Sequence, residues 1–318
     1  MLAEPQLLIG ALPLTSQPHP VWDPGNVSIG APTVSYHAAS HTYHMFGTGV
    51  NFPMFSSPNI TGPWTRHGVV LPGGSKIGLE GGMWAPDVQH IKLGNGFALY
   101  YCISNLGDKN SVIGVATSPN MKEGSWKDYG KVIRSDPSKK WNAIDANTIT
   151  TGGKIYLNFG SYSQGIFQWE MKNITHPKPP KLLVANQGHT EASNVYKPAN
   201  LKWFYVFWSE GDNAFRRIPK PGEEYKVLVG RGPTVSGPFK DKAGNLLNKK
   251  YTKKVGTLVL GSHDNVYAPG GQSVFHDPVS GRDMITYHFL KKAEYNPTRH
   301  VGINYLDFSS GWPVVVKK

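Results

Sequence analysis

Gly30-Ala31-Pro32-Thr33-Val34-Ser35-Tyr36 leads through a short turn into Tyr43-His44-Met45-Phe46-Gly47-Thr48-Gly49. Both arms carry β-branched and aromatic residues, and the residues between them favour a turn, so the stretch reads as a β-hairpin. The second arm has four relatives along the chain: Phe97 to Ser104, Ile155 to Tyr162, Trp203 to Ser209 and Met284 to Phe289. They recur about every 50 to 60 residues, with a longer last interval that an insertion would fill, which is the length of a four-stranded blade with its loops. These five segments are read as the inner strands of five blades. The expectation is an all-β, five-bladed β-propeller in a single domain over 30–318, with residues 1–29 as an N-terminal segment that packs on or closes it.

A second recurrence supports that reading. Ser57 to Trp64, Ser118 to Trp126 and Pro233 to Phe239 share one layout, a Pro- and Gly-containing turn followed by an aromatic that can cover the outer end of a blade. The 36 Gly, 25 Pro and 12% aromatic residues suit many short strands joined by tight turns. No amphipathic helix, heptad pattern or low-complexity linker marks a domain boundary. The Lys- and Asn-rich stretch from Lys240 to Val255 reads as an exposed loop or hairpin within one blade.

The formal charge of +12 attracts polyanions. Apart from short groups such as Lys249-Lys250 with Lys253-Lys254, the basic residues are scattered and no nucleic-acid motif accompanies them. An acidic polysaccharide such as pectin fits better than nucleic acid. Cys102 is the only cysteine, which excludes an intrachain disulfide, and its apolar neighbours make it a core thiol. No apolar run approaches the roughly 20 residues of a membrane helix, so no membrane partner is expected. Met1 to Pro20 lacks a basic start and carries Glu4, as in a mature form with an added initiator methionine. Sequons at Asn26, Asn59 and Asn173 are compatible with a secreted, extracellular protein, expected as a monomer.

In a propeller the first strand of every blade lines the central channel, so residues far apart in sequence converge there. In order these are Ala31, Trp84-Ala85-Pro86-Asp87, Trp141-Asn142-Ala143-Ile144-Asp145, Glu191-Ala192-Ser193-Asn194 and Pro269-Gly270-Gly271-Gln272. Such a cluster of acids suits glycosidic cleavage, where one carboxyl protonates the leaving oxygen and, in inverting enzymes, a second about 6.5–9.5 Å away activates water. Glu191 is the candidate acid, its proton held by apolar walls and by Asp145, which tunes its pKa. Trp84, Trp141, Tyr162 and Phe46 are candidates for stacking on sugar rings, and Asp87, Asn142 and Ser161 complete the substrate-binding set. His189, His263, His288 and His300 show no helical metal-ligand spacing, so no metal site is assigned. Gly160 to Gly165 misses the spacing of a nucleophile elbow.

At these residues the chain resembles the endo-1,5-α-L-arabinanases of glycoside hydrolase family 43, the fungal ones in particular. The resemblance spans about Gly30 to Val316. It is carried by Trp84-Ala85-Pro86-Asp87, Ser111 to Ser118, Trp141 to Asp145, Gly222-Glu223-Glu224-Tyr225, Tyr267 to Gln272 and Gly311-Trp312-Pro313-Val314-Val315. It implies a five-bladed propeller that cleaves α-1,5-linked arabinan or arabino-oligosaccharides with inversion. Asp145 is then the pKa modulator, Glu191 the general acid, and position 31 the place of the general base. Ala31 stands where the family has aspartate, and Ala146 where proline usually follows the modulator. The paired cysteines many members carry are absent near Asp212-Asn213. The channel histidine of bacterial members, near a bound calcium or water cluster, corresponds to Gly271 or Gln272, so a channel calcium is expected only without its usual ligand and no other cofactor is expected.

Three readings follow. The chain is an inverting arabinanase inactivated at position 31 by an engineered substitution that traps substrate. Or it is a natural, non-catalytic arabinan- or pectin-binding propeller. Or it remains active, including by exo action, with Asp87 or a group of the substrate replacing the base.

Overall fold

The computed structural model describes residues 17–20, 27–91, 96–162, 165–185, 190–214, 217–249, 251, 254–292 and 298–317. Asn26, His189, Lys250 and Lys253 lie outside the described residues, as does most of the 1–29 segment. Five antiparallel sheets follow one another along the chain, each of four strands in sequential order. Blade 1 holds β1 (Gly30–His37), β2 (Thr42–Thr48), β3 (Pro53–Ser57) and β4 (Thr65–Val69). Blade 2 holds β5 (Gly82–Ile91), β6 (Gly96–Ser104), β7 (Ser111–Ser118) and β8 (Lys127–Ser135). Blade 3 holds β9 (Asn147–Thr151), β10 (Lys154–Ser161), β11 (Gly165–Asn173) and β12 (His176–Ala185). Blade 4 holds β13 (Thr190–Tyr196), β14 (Phe204–Glu210), β15 (Lys226–Gly232) and β16 (Thr257–Leu260). Blade 5 holds β17 (Val266–Asp277), β18 (Arg282–Lys291), β19 (His300–Asp307) and β20 (Val314–Val316). The first strands neighbour one another in a closed ring, β1 touching both β5 and β17. The chain is therefore a five-bladed β-propeller.

The apolar segments taken as inner strands are the second strand of each blade, one place out from the axis. β6 shows why they are the most apolar. All nine of its residues are buried. Phe97, Leu99, Tyr101 and Ile103 face a core shared with blade 1, and the alternate residues Ala98, Tyr100 and Cys102 face one shared with blade 3. A strand covered on both faces loses the polar alternation of a half-buried one. The innermost strands border a polar channel and carry Pro, Gly, Ser, Asn and Asp instead.

One hydrophobic cluster fills each of the five interfaces between neighbouring blades. The interface between the last and first blades joins Met284, Val301 and Ile303 to Val34, Tyr43 and Met45. Because each blade is built from consecutive strands, closure rests on this packing and on bonds across it. Thr286 Oγ1 donates to Pro32 O at 2.8 Å, and Tyr43 OH to Asp277 Oδ1 at 2.7 Å. Ile29 lies in the same cluster, over Gly47, where any Cβ would come within 2.6 Å of it. Gln17 bridges Val259 O and the Gly261 amide, which lays this part of the N-terminal segment against blade 4.

The three recurrent turns each join the third strand of a blade to the fourth, and Trp64 and Phe239 are buried at their ends. The stretch after Lys240 is less exposed than its composition suggests. Leu247 is fully buried against blade 4, and Asp241 holds the turn by accepting from the amides of Asn245 and Gly256.

Candidate active site

Four of the five innermost strands carry a bulge near the same height, Asp145 precedes the fifth strand, and each such position has a residue at positive φ. These are Ala31 (45°), Ala85 (30°), Asp145 (53°), Ala192 (52°) and Gly271 (58°). Left-handed backbone costs a residue with a Cβ about 1–2 kcal/mol, and four such positions with Gly271 as a fifth mark a ring where strands are re-aimed at the channel mouth. Two residues beyond each stands a polar side chain: Thr33, Asp87, Asn147, Asn194 and Ser273. Three of these tie one blade to the next. Thr33 Oγ1 accepts from the Val88 amide at 3.3 Å, Asp87 Oδ2 from the Thr148 amide at 3.2 Å, and Asn147 Oδ1 from the Val195 amide at 2.9 Å. The repeated pattern, a small or αL-tolerant residue two before a short polar one, is the sequence signal for this ring.

Above the ring opens a cleft of about 960 Å³ lined by, among others, Ala31, Trp84, Asp145, Ser161, Tyr162, Glu191, Tyr225, His288 and Arg299. Glu191 and Asp145 are both buried there. Glu191 Oε1 accepts from Tyr225 OH and from Asn213 Nδ2 at 3.3 Å, and Oε2 from Ser161 Oγ at 3.3 Å. Asp145 Oδ2 accepts from the amide of Ala192 at 3.0 Å, so the modulator position is pinned to the residue following Glu191. Desolvation pushes both carboxyls up, and the neighbouring Glu191 charge pushes Asp145 further. The expectation of apolar walls around Glu191 is corrected. Three donors and the Arg299 charge oppose part of that rise at Glu191, and the Ala192 amide opposes part of it at Asp145.

Ala31 is half-buried, and its amide donates to His288 Nδ1 at 3.1 Å. That bond makes Nδ1 the acceptor and leaves the hydrogen on Nε2. Burial, with Arg299 adding to it, drives the imidazole pKa well below its usual value and keeps the ring neutral. His288 comes from β18 and occupies the room that Gly271 leaves, since a Cβ there would lie 2.6 Å from both Cε1 and Nδ1. An imidazole thus stands at the channel mouth beside Gly271, delivered by the neighbouring strand. Gly271 itself is fixed by Ser209, whose Oγ accepts from its amide at 2.9 Å and donates to Gln272 Oε1 at 2.7 Å. Arg299 passes over Gly30, where a Cβ would be 3.2 Å from its Cδ, and its Nη2 donates to Asn213 O at 3.3 Å.

Of the substrate-binding candidates, the cleft brings together Trp84, Asn142, Ser161 and Tyr162. Trp84 folds over Gly82, which has no room for a side chain. Asn142 accepts from Ser135 Oγ at 3.2 Å, and Tyr162 donates to Gly211 O at 2.5 Å while remaining 38% exposed. Phe46 is a correction: it is fully buried between blades 1 and 2, edge-on to Trp126, with no face toward the cleft. Asp87 is another, because it is buried within the polar ring, where Asn147 Nδ2, the Thr148 amide and Gln89 Nε2 occupy both oxygens. It is placed to hold blades 2 and 3 together. Trp141 packs on Phe167 and Trp169. Tyr225, Asn213, His288 and Arg299 had no assigned part in the acid's surroundings, because only the closure of the ring brings them to Glu191 and Ala31.

No group of three or more His, Cys, Asp or Glu side chains among the described residues is arranged to hold a metal ion. Within the ring the channel narrows to about 30 Å³. Calcium collects six to eight oxygens, carboxylates among them. Here Asp87 is engaged on both oxygens and Asp145 on Oδ2, and the remaining lining is Ala, Pro, Ser, Asn, Gln and Gly. Ser193 Oγ and Asn194 Oδ1 are buried with no partner among the described residues. These two oxygens and this volume suit a single water molecule, and the residues do not fit calcium.

Two buried carboxyls at the channel mouth of a five-bladed propeller define a glycan-cleaving type of site. The chain belongs to the glycosyl hydrolases family 43, whose model matches residues 27–313. It is 40% identical over 334 residues to "Probable arabinan endo-1,5-alpha-L-arabinosidase A" of Emericella nidulans, covering 98% of this chain and 99% of that one. It is 37% identical to arabinan endo-1,5-alpha-L-arabinosidase A of Aspergillus aculeatus, over 92% of each chain. Among solved structures, the Cellvibrio cellulosa α-L-arabinanase complexed with arabinohexaose superposes with a TM-score of 0.80 at 25% identity, covering 92% of this chain and 96% of that one.

Proposed function

We propose that this chain binds α-1,5-linked L-arabinan in the cleft, with Glu191 as the general acid of an inverting cleavage and Asp145 as its modulator. The base position is occupied by Ala31. The observation that carries this reading is the buried Glu191–Asp145 pair lining the cleft together with Ala31. A missing general base lowers turnover by about 10²–10⁴. The names of the fungal relatives support an endo mode on internal bonds. In this reading the protein works as a secreted monomer on pectic polysaccharide.

The test is a pair of assays on debranched arabinan, with the chain as it stands and with Ala31→Asp. Restored hydrolysis, with a mixture of oligosaccharide lengths, supports the proposal. A second reading, a non-catalytic arabinan-binding propeller, is favoured by the methyl side chain at position 31 beside the retained Glu191 and Asp145. Inert Ala31→Asp protein that still binds arabino-oligosaccharides would establish it.

A further inference from the structure

The surroundings of Ala31 hold a buried donor, unused among the described residues, and a nearby positive charge. His288 is 6% exposed, and its Nε2 has no partner among the described residues. Its other nitrogen is committed to the Ala31 amide, so the Nε2 hydrogen is a buried donor close to position 31. A buried donor left without an acceptor is destabilising, and an incoming acceptor recovers that loss. Arg299 brings a guanidinium to the same place, packed over Gly30, the residue before Ala31. Its charge acts on both His288 and Glu191, so an anion beside it would oppose its effect on the acid and help Glu191 keep a proton.

We propose that a small monocarboxylate, formate or acetate, binds beside Ala31 between His288 and Arg299 and acts as an external general base for hydrolysis. This rests on the arabinan-cleaving reading and deepens it. The bound carboxylate takes a proton from water as the water oxygen bonds to the anomeric carbon on the face opposite the leaving group. The glycosidic carbon–oxygen bond breaks, and Glu191 gives its proton to the leaving oxygen. The carboxylic acid then releases its proton to solvent, Glu191 is reprotonated, and the balance is one water consumed per bond cleaved.

The experiment measures reducing ends released from debranched arabinan by the unaltered chain as formate replaces chloride at constant ionic strength. The rate should rise and saturate, by roughly ten- to hundredfold, because an external base recovers part of the 10²–10⁴ without the advantage of covalent attachment. Acetate should act more weakly if the added methyl crowds Ala31. Arg299→Met should raise the half-saturating formate concentration, and a formate-dependent shift of the His288 ring signals reports binding independently of turnover. Equal rates in formate and chloride, with Ala31→Asp active, overturn this inference and leave the arabinan reading standing. Inert Ala31→Asp overturns the arabinan reading instead, and with no formate response both fall.

Discussion

Gly271→Ala is the sharpest test of how the channel mouth is assembled. The new methyl would meet two atoms of the His288 imidazole at 2.6 Å, well inside van der Waals contact, at a backbone position with φ of 58°. Left-handed backbone costs alanine about 1–2 kcal/mol, and overpacking in a buried site typically 1–3 kcal/mol. To make room the ring must swing away from the Ala31 amide, giving up a hydrogen bond worth about 0.5–1.5 kcal/mol. The expected loss of stability is roughly 3–6 kcal/mol, read from urea unfolding. His288→Ala in the same chain empties the space that the methyl needs. The double variant should therefore be less destabilised than the two single changes added together, with a coupling of about 1–3 kcal/mol. A loss below about 1 kcal/mol for Gly271→Ala, or additive single effects, would refute the claim that the imidazole and this glycine share one seat.

Further changes separate the roles of the carboxyls. In the Ala31→Asp chain, Tyr225→Phe removes the hydroxyl that stabilises ionised Glu191 while keeping the ring in place over Gly270. Losing a charge-assisted hydrogen bond raises the Glu191 pKa, so the alkaline limb of kcat/KM should move up by about one to two pH units; an unmoved or lowered limb counts against the assignment. Asp87 is pushed up to about 6, burial being the main cause, against a usual value of 3.8. A carboxyl raised on folding favours the folded state at low pH, and that contribution is lost as pH climbs from about 4 through 6. Asp87→Asn should leave stability at pH 4 nearly unchanged and make the protein up to about 3 kcal/mol more stable at pH 7, compared by urea melts at both. Lost stability at pH 7 would show that the charge itself is needed by the ring.

The blade count and the all-β class were legible because a strand between two blades is apolar on both faces, as in β6, and recurs with the length of the repeat. The same property made the second strands stand out as inner strands, although the channel residues were read correctly on or beside the first strands. The most apolar strands are those packed on both sides, whereas the strands at the channel carry the polar and small residues, as in Ala192-Ser193-Asn194. Glu191, Asp145 and Ala31 were found as candidates from local motifs. Phe46 reads from the sequence as an aromatic near the channel mouth, yet it packs in the core between blades 1 and 2, and Asp87 reads as a channel carboxylate, yet its oxygens are taken by neighbours within the polar ring.

By itself the sequence determined the repeat, the all-β architecture and the two candidate carboxyls, since these are properties of local composition and spacing, while the meaning of Ala31 came from the family resemblance. The tertiary structure decided which residues surround them. Tyr225, Arg299 and His288 lie 34 residues, 108 residues and 257 residues from the groups they act on, Glu191 for the first two and Ala31 for the last. Electrostatic and hydrogen-bonding influence falls off over a few ångströms of space and takes no account of distance along the chain, so only closing the ring of blades could bring them into play.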